Sequence, residues 1–114
     1  MHSTPKLTEV VRHALADLKA NDIIELDVHE YASFTDVMLF VSGTSTRHVK
    51  SIADEVLLQA KLAGFTPIGV EGYTYGEWVL VDLGDVVVHV MLPSVREFYQ
   101  LEKLWSDLIQ CHPR

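Results

Sequence analysis

The stretch from Trp78 to Leu92 constrains the fold more than any other part of the sequence. Apolar residues run through Trp78–Leu83 and resume in Val86–Leu92, and only Gly84-Asp85 separates the two runs. A two-residue connection that contains glycine, placed between two apolar runs, is typical of a tight β-hairpin. The sequence therefore predicts two antiparallel strands here, and a sheet that contains them.

Pairing the two strands back from this turn divides their side chains between two faces. One face is purely aliphatic and is expected in the core: Val79, Val81, Leu83, Val86, Val88 and Val90. The other, called the mixed face below, consists of Trp78, Leu80, Asp82, Val87, His89 and Met91. Protein interfaces are enriched in tryptophan and methionine, so the mixed face is a candidate binding surface. The pattern by itself slightly favours the alternative, in which a helix covers this face and Asp82 and His89 are hydrogen-bonded at its margin.

The rest of the chain predicts three helices and three further strands. Apolar residues recur at helical spacing in residues 7–18, 49–60 and 98–105, and short strands are expected at 23–28, 36–41 and 68–71. Thr44 or Ser45 can cap the second helix, and Ser94 with Glu97 forms a capping box for the third. The order predicts a single α/β (α+β) domain over residues 1–114, with a mixed sheet of about five strands flanked by three helices.

The charge balance favours some partners over others. The chain has 114 residues, nine of them Lys or Arg, and a net charge of −7 with neutral histidines. Nucleic-acid binding depends on cationic side chains that displace counterions, so an RNA-binding module is disfavoured. The same acidity suits a basic protein surface, although it also serves solubility alone.

The chain shows few signs of a membrane or secreted protein. It has no uninterrupted apolar stretch of about 18 residues, so no membrane span is expected. Little sequence precedes the first helix, so no targeting peptide is expected either. The single cysteine, Cys111, cannot form a disulfide within the chain. A reducing cytoplasm fits these observations.

Candidate catalytic groups are sparse. The six histidines are scattered, and no pair has the spacing of a metal site on a helix. Asp27 ends one predicted strand and Asp36 begins the next, so they can lie close together and hold a divalent ion. Capping and turn roles explain both aspartates as well. The prediction is a non-enzymatic protein without a catalytic residue, metal or cofactor; the alternative is an enzyme that uses these two aspartates.

Eight short segments carry a resemblance that covers about residues 21–105. They are Asp22–Asp27, Thr35-Asp36, Ser42–Val49, Ile52–Asp54, Glu71-Gly72, Glu77–Asp82, Gly84–His89 and Arg96–Trp105. In this order and spacing they resemble the ribosomal silencing factor family, RsfS, also called Iojap. The resemblance implies a fold similar to nucleotidyltransferases, without their catalytic Gly-Ser and Asp-x-Asp signature. The enzyme alternative is therefore a nucleotidyltransferase-like protein that binds a nucleotide and a divalent metal with Asp27 and Asp36.

The resemblance also implies a partner and a mechanism. Family members bind the large ribosomal subunit at its ribosomal protein numbered fourteen, block association with the small subunit and lower translation when nutrients fail. The resemblance also implies that some members form homodimers, so a homodimer is possible here. Relatives in organelles carry transit peptides, and because none is expected here, the resemblance implies a bacterial cytoplasmic member. Binding to a membrane is not expected, and neither is direct binding to a specific nucleic-acid sequence.

Carried over by position, the resemblance places the partner-binding surface on the hairpin and the segments beside it. Trp78 is expected as the central anchor, and Asp82 and Glu71 are expected to face basic groups of the partner. The full expected set is Trp78, Leu80, Asp82, His89, Glu71, Tyr73, Arg96 and Tyr99.

Overall fold

The structure, a computed structural model, describes residues 4–111, and it describes side chains for residues 6–110. The elements follow the order α1 (Thr4–Asp17), β1 (Asn21–Asp27), β2 (Val37–Ser42), α2 (Thr46–Leu62), β3 (Gly69–Glu71), β4 (Trp78–Asp82), β5 (Val86–Met91), α3 (Pro93–Tyr99) and α4 (Leu101–Cys111). Ser45 caps α2, because its side-chain oxygen accepts a hydrogen bond from the backbone N–H of His48.

The strands form one mixed sheet in the order β1-β2-β5-β4-β3. β2 and β5 are parallel, and the other neighbouring pairs are antiparallel. The parallel pair lies in the middle of the sheet, and α2 lies on the connection between its strands, as a parallel pair requires. The predicted α+β class with about five strands is confirmed.

The predicted hairpin is confirmed in register as well as in existence. Trp78 pairs with Met91, Leu80 with His89, and the three pairs between and beyond them also match the prediction. The backbone N–H of Leu83 donates to the carbonyl oxygen of Val86 over 2.9 Å and closes the two-residue turn. A turn of this length allows one pairing of the flanking strands, which is why the register could be predicted.

Helices cover the two faces of the sheet to different extents. α1 and α2 pack on the aliphatic face and complete the main core with buried side chains such as Leu39, Val81 and Val88. On the opposite face, Met38, Phe40 and Met91 form a smaller cluster, against which α4 packs. None of the helices in the described range has the length and apolar composition needed to cross a membrane.

The third predicted helix is wrong in two respects. It is two helices, because Gln100 adopts the left-handed conformation with φ of 49° and ends α3. Its predicted capping box is also absent: α3 begins at Pro93, and Leu92 occupies the cap position without a side-chain hydrogen bond. Proline favours the first helical position because its φ is already helical and it lacks an N–H group, so the helix begins before Ser94 can cap it.

Candidate protein-binding site

The mixed face is half covered and half open. On β5, the side chains of Val87, His89 and Met91 are buried, whereas on β4 those of Trp78, Leu80 and Asp82 are only partly buried. Met91 lies in the small cluster against which α4 packs, and His89 stacks on Phe40 of the same cluster. Each of the two alternatives drawn from the sequence therefore describes one strand of the hairpin: β5 is covered, and β4 remains accessible.

Trp78 lies at the boundary between the covered and the open part. Its indole Nε1–H donates a hydrogen bond to Nδ1 of His89 over 3.0 Å. The rest of the ring packs against the small cluster beneath α4. A tryptophan that is held on one side and accessible on the other can anchor a partner, because much of its side chain is already ordered before binding.

His89 lies beneath the surface rather than on it. The side chain is 3% exposed and stacks on Phe40, with ring centroids 4.8 Å apart and ring planes 7° apart. Burial lowers the pKa of His89 to about 4, so the imidazole is neutral near pH 7. Its contribution to the site is the acceptor that it offers Trp78, and little of its own surface reaches a partner.

An aromatic row extends outward from Trp78 along α3. The ring of Tyr99 lies 5.0 Å from Trp78, and the ring of Phe98 lies 4.9 Å from Tyr99. Exposure increases along this aromatic row, to 57% for Tyr99 and 79% for Phe98. Large exposed aromatic side chains in a continuous patch are typical of protein-binding surfaces.

Phe98 joins the candidate site through its contact with Tyr99, and the sequence did not single it out. Phe98 and Leu104 were expected on the buried side of the last helix, and both are exposed. The break at Gln100 gives α4 its own orientation, in which Leu101, Trp105 and Ile109 face the sheet. The spacing of these three residues, four apart, is the signal that could have set them apart from Phe98.

Of two further expected residues, Glu71 lies on the face of the sheet that carries Leu80, whereas Tyr73 contacts α2 on the opposite face. Glu71 pairs with Leu80 across β3 and β4, so both side chains project from the same face of the sheet. The hydroxyl of Tyr73 donates to Asp54 over 2.9 Å, and Lys50 lies over its ring. Both of these partners belong to α2, which packs on the opposite face of the sheet.

Arg96 is occupied within the fold. Its guanidinium pairs with the carboxylate of Glu102 and donates to the side-chain oxygen of Ser42 over 2.9 Å, and only 10% of its side chain is exposed. These contacts join α3 to α4 and to the end of β2. Arg96 is therefore held by contacts within the fold and presents little charge to a partner.

Comparison with known proteins decides the family. A sequence profile described as "Ribosomal silencing factor during starvation" matches residues 1–113, which extends beyond the expected range of 21–105. The chain belongs to the ribosomal silencing factor family. Ribosomal silencing factor RsfS of Chromobacterium violaceum is 48% identical over 89% of this chain and 83% of its own length. That of Haemophilus influenzae is 44% identical over 88% of this chain and 98% of its own.

Two further relatives bear on fold and partner. A crystal structure of a protein from Chromobacterium violaceum superposes with a TM-score of 0.89 at 46% identity, covering 93% of this chain and 88% of that one. A mouse relative named "Mitochondrial assembly of ribosomal large subunit protein 1" is 37% identical over 76% of this chain. This chain covers 40% of the mouse protein, so the likeness concerns part of that protein only.

Family membership points to a regulatory factor associated with ribosomes rather than to an enzyme. The two aspartates of the enzyme hypothesis lie at the paired ends of β1 and β2: Asp27 pairs with Val37, and the backbone N–H of Val28 donates to the carbonyl oxygen of Asp36 over 2.8 Å. Asp27 accepts a hydrogen bond from the His29 ring over 2.6 Å, and this contact lowers the pKa of Asp27. Within the described residues, no group of three or more His, Cys, Asp or Glu side chains is arranged to hold a metal ion.

Proposed function

We propose that this protein binds the large ribosomal subunit through the open part of the mixed face and the aromatic row, and thereby lowers translation. The observation that carries this proposal is the setting of Trp78. The indole is partly accessible, hydrogen-bonded to a buried imidazole and continuous with two exposed aromatic rings. A preordered tryptophan at the centre of an apolar patch is the typical anchor of a protein interface.

The partner on the ribosome is proposed to be the ribosomal protein numbered fourteen of the large subunit. The resemblance described above implies that protein, and the name of the mouse relative supports the large subunit. Charge agrees with a basic partner, because Asp82 and Glu71 flank the apolar centre of the site and the whole chain carries −7. Complementary charge accelerates encounter and disfavours wrong partners.

The proposed mechanism is steric and requires no bond to be made or broken. A protein seated on the surface that the small subunit must meet prevents the two subunits from joining. Its effect then depends on occupancy, and hence on the concentration of the factor relative to its dissociation constant. The setting is proposed to be the bacterial cytoplasm during starvation. The resemblance implies that some family members form homodimers, so a homodimer is proposed as a second state of this protein. Light scattering tests it.

Sedimentation with separated ribosomal subunits tests the proposed function. The wild-type chain is expected to pellet with large subunits, not with small subunits, and to reduce the fraction of joined ribosomes. Trp78→Ala is expected to weaken this binding about thirtyfold or more, since truncation of a central tryptophan costs about 2 kcal/mol or more.

Leu62→Ala provides the matched control. Leu62 is an apolar side chain, 73% exposed, at the end of α2 on the opposite face of the sheet. Its removal is expected to leave binding unchanged. If Trp78→Ala folds and binds large subunits as tightly as the wild type, the mixed face is not the binding site.

A further inference from the structure

One hydrogen bond joins the surface of the proposed site to its buried floor. Nε1 of Trp78 donates to Nδ1 of His89, and His89 in turn stacks on Phe40 in nearly parallel planes. The indole is therefore held by a ring that is itself held by a third ring. This arrangement restricts the orientation of Trp78 from below while its outer side remains accessible.

Histidine is a costly residue at this buried position. A neutral imidazole carries one proton, and because Nδ1 accepts from Trp78, that proton lies on Nε2. Nε2 of His89 is buried and has no hydrogen-bond partner among the described residues. An unpartnered buried donor destabilises a fold, whereas the other two buried mixed-face positions of β5 hold the apolar residues Val87 and Met91. Residues that reduce stability are expected where a function requires them.

The geometry points to His89 as the positioning residue for Trp78: its Nδ1 fixes the indole in the orientation that the partner binds. This inference rests on the proposed function. Without the acceptor, the indole samples other orientations, and binding must order it. Ordering one large side chain on association is expected to weaken affinity by about twofold to tenfold.

Two substitutions of His89 test the inference. His89→Leu removes the acceptor and the unpartnered donor, and His89→Asn keeps an acceptor oxygen near the place of Nδ1. Titration of isolated large subunits is expected to show about twofold to tenfold weaker binding for the leucine variant. The asparagine variant is expected to bind nearly as the wild type. Wild-type affinity for a folded His89→Leu protein would show that the inference is wrong.

Nuclear magnetic resonance measures the position of the indole independently of binding. The chain has two tryptophans, and Trp105 lies in α4 with its ring edge-on to that of Phe34, at a centroid distance of 6.2 Å, so it serves as an internal reference. In His89→Leu, the indole N–H signal of Trp78 is expected to shift and to exchange faster with solvent, while that of Trp105 stays in place. An unchanged Trp78 signal would contradict the positioning role.

A double-mutant cycle separates positioning from a general structural effect. Trp78→Phe removes the indole N–H, so a subsequent His89→Leu change should have almost no further effect on affinity. Equal losses from His89→Leu in the Trp78 and Phe backgrounds would mean that His89 acts through the fold and would overturn the inference. If Trp78→Ala alone leaves binding intact, the proposed function fails instead. If Trp78→Ala abolishes binding and His89→Leu does not alter it, only the positioning role fails.

Discussion

Gly72 and Trp78 approach each other so closely that a methyl group on Gly72 would lie 2.2 Å from the backbone carbonyl oxygen of Trp78. Gly72 also has a φ of +79°, which disfavours any residue with a side chain. The loop before β4 therefore depends on glycine at this position to reach the start of the strand that carries the proposed anchor.

Gly72→Ala is expected to destabilise the protein by about 2 kcal/mol or more, because the new methyl group clashes with backbone and φ is unfavourable. Chemical denaturation measures this change. Gly69→Ala is the control, since a methyl group on Gly69 would enter open space and the residue belongs to the neighbouring β3. Equal stability of the two variants would contradict the close approach.

Acid is expected to destabilise the fold through His89. The pKa of His89 is about 4 in the folded chain, against 6.5 for a histidine in water. As pH falls below 6.5, the unfolded chain therefore takes up a proton that the folded chain does not bind until about pH 4. Above pH 6.5 this difference in proton binding has no effect, and between pH 6.5 and 4 it lowers the free energy of unfolding by about 3 kcal/mol.

The comparison that isolates His89 is the wild type against His89→Leu over the same pH range. The hydrogen bond to Asp27 raises the pKa of exposed His29, so protonation of His29 stabilises the folded protein as pH falls. The pH dependence of the wild type alone therefore contains opposing contributions from His29 and His89. The difference between the two proteins removes that contribution, because both retain His29. A difference that stays constant from pH 7 to pH 4 would argue against a buried neutral imidazole.

Two ion pairs near the C-terminus are expected to differ in their effect on stability. Arg96→Ala leaves Glu102, which is mostly buried, without its cation and is expected to cost about 1–3 kcal/mol. The control is Lys103→Ala, which breaks a solvent-exposed pair with Asp107 on the same helix and is expected to cost less than about 1 kcal/mol. Denaturation at low and high salt measures both. A larger loss from Lys103→Ala would contradict this ranking.

Phe98→Ala separates binding from folding. Phe98 is 79% exposed, so its truncation should leave thermal stability nearly unchanged. Because it ends the aromatic row, binding to large subunits is expected to weaken several-fold, by about 1 kcal/mol. Tyr75 is 80% exposed and lies outside the row, so Tyr75→Ala is the control and should bind as the wild type. Equal binding by both variants would remove Phe98 from the proposed site.

The hairpin could be predicted to the residue, whereas the cover over it could not. Local chemistry determines the turn at Gly84-Asp85, and the turn then determines every pair behind it. The left-handed conformation of Gln100 has no such local cause, since glutamine has no special preference for it. Gln100 joins α3 to α4, and α4 packs on the sheet through contacts between distant segments. Such distant contacts also determine that Phe98 is exposed, that His89 is buried and that Tyr73 contacts α2.

The central parallel pair has a consequence for the order in which the protein can assemble. Val37 in β2 pairs with Val86 in β5, so the middle of the sheet closes only after β5 has been synthesised. The aromatic row needs still later residues, because it ends in α3. A chain that has been made only as far as β4 therefore lacks the surface proposed to bind ribosomes, and each copy becomes competent only after its β5 and α3 have been synthesised.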